Sequence, residues 1–254
     1  MKRVIKKLLG SAGYKIVPLQ VPTSIRELNP DITEQEWQTY LSVQEYTMTS
    51  LERVLTAIRA AAHISENHIF GDIVECGVWR GGSTMAIART LLEHNDVSRR
   101  LYLYDTFEGM VEPTTADTDF RGREAAALLS SAKQLVEQKT ESTIWAYASL
   151  EDVRANLEKT RYPAEKIVFT KGPVEKTIPD TIPDAIAILR LDTDWYESTR
   201  HELIHLYPRL SKGGILIVDD YGHWSGSRKA VDEFFSGQLF LNRIDYSGRL
   251  AIKP

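Results

Sequence analysis

Apolar residues recur at helical spacing after Thr33, where Trp37, Tyr40, Leu41, Leu51, Val54, Leu55 and Ile58 line one side of one or two helices reaching about Ala62. Thr33 followed by Glu36 has the form of a capping box, in which each side chain satisfies the other's backbone N–H, so the helical stretch begins there. Further on, short runs rich in Ile, Val and Leu alternate with helical ones. They predict strands at 72–76, 101–104, 166–170, 186–191 and 215–219, with two more at 239–244 and 249–252. Helices are expected at 83–94, 121–138, 150–159, 197–210 and 227–235. Strands that are apolar on both faces and separated by helices require a parallel sheet covered on both sides. The fold class is therefore α/β: a doubly wound, Rossmann-like sandwich with a mostly parallel sheet and helices on both faces. Gly10, Gly13, Pro18, Pro22 and Pro30 break any long element at the start, which predicts an arm over 1–32 before a single domain over 33–254. The threonines and aspartates of 108–122 read as a mobile loop on the ligand side of the sheet.

Composition narrows the function. A chain of 254 residues with 43% apolar and 26% charged residues buries one ordinary core. Its 31 Lys and Arg stand against 35 Asp and Glu, a net charge of -4, which removes the usual electrostatic case for a nucleic-acid or anionic-membrane partner. The lone cysteine, Cys76, forbids an internal disulfide and a four-cysteine zinc site, and it suits a reducing, cytoplasmic compartment. No apolar run approaches the ~20 residues of a membrane span, and the basic start lacks the features of a secretory signal. Lys2, Arg3, Lys6 and Lys7 do alternate with Val4, Ile5, Leu8 and Leu9, the pattern of an amphipathic end that docks a partner or frays, with membrane contact as the alternative.

The strongest local signal is Asp72-Ile-Val-Glu75-Cys-Gly77-Val-Trp79-Arg80-Gly81-Gly82-Ser83-Thr84, a strand running through a glycine-rich turn into a helix. Gly77 permits a tight turn, while Gly81 and Gly82 leave room for a ligand against the N–H groups of the helix start. The spacing departs from the G-x-G-x-x-G of dinucleotide enzymes, which weakens the case for NAD. The next strand ends at Asp105, placed to accept both hydroxyls of a ribose; a turn-capping acid is the alternative. Two later strands end in Asp192-Thr-Asp194 and Asp219-Asp220 and should lie side by side. Carboxylates that converge in this way need a shared cation or proton, and Mg²⁺ with oxygen ligands is the economical solution. The alternative is that they cap helices as solvated loop acids.

Two other patterns compete. His201-Glu202-Leu-Ile-His205 matches the H-E-x-x-H of zinc proteases, but its helix joins two parallel strands and packs through Leu203, Leu206 and Tyr207, so it should cover a sheet and not line a cleft. His223, just after Asp220, stands nearer the acids. Asp192-Thr-Asp194 is also the D-x-D by which glycosyltransferases hold a metal and a sugar nucleotide, although such an enzyme has no use for the turn from Glu75 to Ser83. A non-catalytic cofactor-binding paralogue is a third possibility, weakened by the presence of all four acids. Trp37, Trp145, Trp195, Tyr221 and Trp224 would suit stacking on an acceptor, or the core.

Taken together, Tyr46-Thr-Met48-Thr-Ser-Leu-Glu-Arg53, the Trp-Arg-Gly-Gly turn, Asp105-Thr106-Phe107-Glu-Gly109, Leu-Arg190-Leu-Asp192-Thr-Asp194 and Val-Asp219-Asp220-Tyr221 resemble the macrocin O-methyltransferase family over roughly 46–235. The resemblance implies an enzyme that uses S-adenosylmethionine and Mg²⁺ to methylate a hydroxyl on a sugar or glycosylated natural product, in a homo-oligomer. It implies that Glu75, Gly77, Gly81, Gly82 and Ser83 hold the methionine part of the cofactor and Asp105 its ribose, with Ser149 and Lys171-Gly172 near the adenine. Met48, Trp79, Thr106, Phe107 and Asp192 belong to the same cofactor set. Asp192, Asp219 and Asp220 would hold Mg²⁺, and Asp194 would stand beside the reacting hydroxyl, with Asp192 and Asp194 able to exchange parts as proton acceptor. The segment 46–53 would act as a helical lid, and the arm with the loop 112–123 would choose the acceptor.

Overall fold

The computed structural model describes residues 25–137 and 145–254. The basic amphipathic start and most of the expected arm lie outside these, as does the last residue of the helix expected at 121–138. The chain divides into two compact units between Trp37 and Gln38. In the first, helix α1 (Ile25–Leu28) precedes the start of α2 (Glu34–Val43). The capping box forms there: Thr33 N–H donates to Glu36 at 2.8 Å, and Glu36 N–H donates to the Thr33 hydroxyl at 3.2 Å.

The second unit is a seven-stranded sheet. Its elements are α3 (Leu51–Glu66), β1 (Asp72–Cys76), α4 (Gly82–Glu93), β2 (Leu101–Asp105), α5 (Ala125–Glu137), α6 (Leu150–Glu158), β3 (Ile167–Lys171), α7 (Val174–Thr177) and β4 (Ile186–Leu191). They are followed by α8 (Tyr196–Leu206), β5 (Leu210–Val218), α9 (Ser225–Phe235), β6 (Asn242–Arg243) and β7 (Arg249–Ile252). The strand order is β3-β2-β1-β4-β5-β7-β6, parallel except for β7, which runs antiparallel to both neighbours. Side chains alternate between two cores: Val74, Leu189 and Leu216 face one with Leu203 and Leu206 of α8, while Ile73, Ile188 and Ile217 face the other with Ile64 of α3 and Ile87 of α4. The doubly covered α/β sheet expected from the apolar runs is therefore present. Among the described residues no helix is long and apolar enough to cross a membrane.

Three local expectations change. The strand expected at 215–219 begins earlier, at Leu210, and takes in Lys212-Gly213-Gly214, where Gly213 at φ +77° donates its N–H to the Lys253 carbonyl at 2.8 Å. Helix α8 stops at Leu206 and tightens into a 3₁₀ turn over Tyr207–Arg209, since Pro208 has no N–H to continue it. The threonine- and aspartate-rich loop is fastened rather than loose. Thr118 N–H donates to the Ser225 hydroxyl at 2.9 Å, Asp119 bridges Trp224, and buried Asp117 accepts the Tyr196 N–H at the start of α8 at 2.8 Å. Trp195 and Trp224, candidates for stacking on a ligand, are 1% and 5% exposed and pack edge-on at 4.9 Å beneath that loop.

Candidate active site

The strand order sets the ends of β2, β1, β4 and β5 side by side, which brings Asp105, Gly77, Asp192 and Asp219 to one carboxyl edge. Open α/β sheets bind ligands at this edge. A cavity of about 390 Å³ opens there, lined by Tyr46 to Thr49, the turn from Gly77 to Trp79, Ser83, Asp105, the four late aspartates and the loop around Tyr246. A larger cavity of about 720 Å³ lies near Asp72 and Arg100, at the opposite edge. Its Arg99 is already engaged by Asp96 and the carbonyls of Ile64, Ile69 and Gly71, so that cavity offers structure rather than chemistry.

The glycine turn is built by close packing. At Gly77 (φ +80°) a Cβ would meet the Asp192 carbonyl at 2.0 Å, so the β1 and β4 ends touch backbone to backbone. A Cβ at Gly82 would strike the Tyr46 carbonyl at 2.5 Å, and one at Gly81 the Leu157 side chain at 2.7 Å. Gly81 thus serves the packing of α6 and does not line the cavity. Asp105 staples the turn: its carboxylate accepts N–H bonds from Val78 (2.7 Å), Trp79 (3.1 Å) and Phe107 (2.7 Å). Burial pushes Asp105 up, against the lowering effect of these three donors. Trp79, Phe107, Ala146 and Asp194 all adopt positive φ, between 47° and 67°. Such sparsely populated conformations gather where structure over-determines them, commonly at functional sites. Phe107 itself is buried, and Thr106 donates to the Gly109 carbonyl at 2.5 Å.

The remaining cofactor residues are distributed unevenly. Met48, Trp79 and Ser83 line the main cavity. Thr106 and Gly172 line a small adjoining one that shares Asp105 and Asp192 with it. Ser149 caps α6 by accepting the Asp152 N–H at 3.1 Å and lies outside the lining. Glu75 is 1% exposed and fully engaged, with one oxygen on Arg190 at 2.7 Å and the other on the Thr84 hydroxyl.

The acids separate into two groups. Asp192, Asp194 and Asp220 each bring a carboxylate oxygen within 4.8 Å of the others. Asp219, expected among the metal ligands, instead has one oxygen on Arg190 at 2.7 Å and the other on Arg53, because two guanidinium groups reach it from β4 and α3. Burial, joined by the charges of Asp219 and its neighbours, pushes Asp192 and Asp220 well above the ordinary carboxylate range. Asp194 is pushed to about 7, first by burial and then by the charges of Asp192 and Asp219. A buried Asp220 oxygen has no hydrogen-bond partner. Clustered carboxylates with an orphaned oxygen are what a hard divalent cation satisfies, so the residues fit such an ion.

Sequence reasoning gave no role to Arg190 or Arg53. Arg190 also meets Asp192 at 2.8 Å, and Arg53 bonds Asp245 at 3.0 Å. The available signal was a lone arginine within an otherwise apolar strand, which has to be paired. The H-E-x-x-H residues form no metal site. His201 Nε2 meets the Ile178 carbonyl at 2.9 Å, while Glu202 is fully buried and accepts the Thr193 hydroxyl at 2.9 Å. Among the described residues only Asp192, Asp194 and Asp220 form a group of metal-ligand type.

Sheet order, glycine turn and carboxylate edge define a Rossmann-like methyltransferase. The family model for macrocin-O-methyltransferase (TylF) matches residues 20–248, and the chain belongs to that family of O-methyltransferase enzymes. It is 33% identical over 237 residues to the 8-demethyl-8-(2,3-dimethoxy-alpha-L-rhamnosyl)-tetracenomycin-C 4'-O-methyltransferase of Streptomyces olivaceus, covering 91% of this chain and 82% of that one. With the mycinamicin III 3''-O-methyltransferase of Micromonospora griseorubida it shares 32% identity, over 74% of this chain and 70% of the other. The structure of the O-methyltransferase NovP superposes with a TM-score of 0.66 at 31% identity, covering 82% of each chain.

Proposed function

We propose that the protein transfers a methyl group from S-adenosylmethionine to a hydroxyl of a sugar carried by a natural product, with a divalent cation, Mg²⁺, at the carboxylate edge. The observation that carries this reading is the continuity of one cavity from the glycine turn to Asp192, Asp194 and Asp220, with a buried Asp220 oxygen unpartnered. The rhamnosyl-bearing substrate named for the Streptomyces olivaceus relative supports the acceptor class. Bound there, the cofactor supplies an electrophilic methyl and the cation supplies positive charge beside the hydroxyl that must lose its proton.

The protein's own residues do the rest. Met48, Trp79 and Ser83 would hold the cofactor, and Asp105 would keep the turn in shape for it and take its ribose. Asp192 and Asp220 hold the cation. Asp194, raised to about 7, accepts the hydroxyl proton near neutral pH, as a general base suited to that pH does. Arg190 fixes Asp192 from below, and Asp219 anchors Arg190 and Arg53.

The test is transfer of labelled methyl from S-adenosylmethionine to a glycoside, followed by mass spectrometry. Chelation should abolish transfer and Mg²⁺ should restore it, while Asp194→Asn should lower kcat by ~10²–10⁴-fold without raising the metal requirement. Full activity after exhaustive chelation would remove the cation. No methylation of any sugar hydroxyl would overturn the function itself.

A further inference from the structure

The glutamate of His201-Glu202-Leu-Ile-His205 turns inward beneath the carboxyl edge of the sheet. On α8 the residues Ser198, Thr199 and Glu202 are buried yet polar, whereas Leu203 and Leu206 further along are buried and apolar. Glu202 Oε1 accepts the Thr193 hydroxyl at 2.9 Å, and Oε2 is buried with no hydrogen-bond partner. The Cys76 thiol, a weak donor, stands beside the same carboxyl. Burying a carboxyl with an orphaned oxygen costs more than burying a leucine, so packing does not account for the residue. Choices that break a local rule in this way gather where function is carried.

What Glu202 grips is the link between two site acids. Thr193 stands between Asp192 and Asp194, on the short connection from β4 to α8. Backbone bonds fix the two ends of that connection: the Asp192 N–H donates to the Cys76 carbonyl at 2.8 Å, and the Trp195 N–H donates to the Thr193 carbonyl at 2.8 Å. Asp194 between them adopts φ +67°, an uncommon conformation for a residue with a Cβ, which persists where the surroundings impose it. The bond from the Thr193 side chain ties the middle of the connection to α8, which Leu203 and Leu206 seat on the sheet.

The carboxyl acts from behind the site. Glu202 does not line the cavity, and Glu175 and Asp192 press on it with like charge. A neutral carboxyl that accepts one hydroxyl bond suits this place, since an ionised one would add a further negative charge behind acids that already repel one another. Groups that orient metal ligands from behind typically cost ~10–100-fold in metal affinity when they are removed.

Resting on the reading above, in which Asp192 and Asp220 hold a divalent cation and Asp194 takes the hydroxyl proton, we infer that Glu202 is a positioning residue. Through the Thr193 hydroxyl it sets the connection that aims Asp192 and Asp194 into the cavity, and it touches neither cofactor, cation nor acceptor itself.

The test takes Mn²⁺ as the probe, titrated by calorimetry in the presence of S-adenosylhomocysteine, together with hydrogen exchange at the Asp192 and Trp195 amides in the metal-free protein. Glu202→Leu and Thr193→Val each remove the bond and keep the volume. Both should weaken Mn²⁺ binding at least ~10-fold and speed exchange at the two amides, while S-adenosylhomocysteine affinity changes by less than about threefold. Glu202→Gln and Thr193→Ser, which keep acceptor and donor, should hold Mn²⁺ within about threefold of the native chain. The double variant Glu202→Leu with Thr193→Val should bind no more weakly than either single one, as two groups acting through one bond require. If Glu202→Leu fails to fold, Thr193→Val carries the same comparison. Native Mn²⁺ affinity and exchange in Thr193→Val, or a Glu202→Gln protein as impaired as Glu202→Leu, would overturn the role. A native chain that binds no Mn²⁺ would overturn the cation instead, and exchange read without metal still decides whether Glu202 holds the connection.

Discussion

At the scale of single residues, a buried guanidinium organises the site. Arg190 is 3% exposed and contacts Glu75, Asp192 and Asp219, so its removal strands three carboxylates in a low-dielectric interior. Arg190→Met is expected to cost about 3–5 kcal/mol in urea unfolding, and Arg190→Lys to recover only part, because one ammonium cannot reproduce the planar fork. Glu202 has the opposite character. Burial pushes it well above the ordinary glutamate range, so as pH rises past the unfolded value the folded chain keeps a proton that the unfolded chain gives up. A raised carboxyl contributes stability below its unfolded pKa, about 4.3, and loses it as pH rises toward the folded value. Glu202→Gln keeps an acceptor for Thr193 and has no proton to lose. Its stability relative to the native chain should therefore grow between pH 4 and 8 in denaturant titrations, and a constant difference would show Glu202 to be ionised.

Elements carry the next level of argument. Ser50 caps α3, accepting the Arg53 N–H at 3.2 Å, and the segment before it lies against the glycine turn. Amides of 46–53 should gain protection from hydrogen exchange when S-adenosylhomocysteine binds, as expected of a segment that covers a ligand; unchanged exchange would leave it a fixed wall. The loop before α5 differs from its composition's promise. Threonines and aspartates suggested mobility, but those same side chains find partners on α8 and α9 once the loop is folded against them. Ser225→Ala removes the hydroxyl that accepts from Thr118 and donates to the Ala116 carbonyl at 2.8 Å. Exchange at Thr118 should then rise several-fold, with exchange at β1 and β4 unaltered.

Across the whole molecule, Arg53 joins α3 to the end of β5 through Asp219 and to the β6–β7 connection through Asp245. Burial would raise Asp245, but N–H donation from Gly248, the Ser50 hydroxyl and the Arg53 charge together hold it below the ordinary aspartate value. A depressed carboxylate contributes stability above its unfolded pKa of about 3.9 and loses it as pH falls through the folded one. Asp245→Asn should therefore destabilise most near neutrality, with the gap to the native chain closing in acid; a gap independent of pH would mean that charge is not what Asp245 contributes. The alternation of apolar and helical runs was enough to place β1, β4 and β7 at their observed residues, to cap α2, and to send Asp105, Asp192, Asp219 and Asp220 to one edge of the sheet. Periodicity and capping act between near neighbours in the chain, so they can be read in order along it. Which acid meets which base could not be read in that way. Asp219 lies 29 residues from Arg190 and 166 from Arg53, and only the side-by-side order of β4 and β5, with α3 packed across them, makes it an arginine anchor and leaves Asp194 with Asp192 and Asp220. The partners of a buried charge are set by strand order and helix packing, and those are decided when the two cores close.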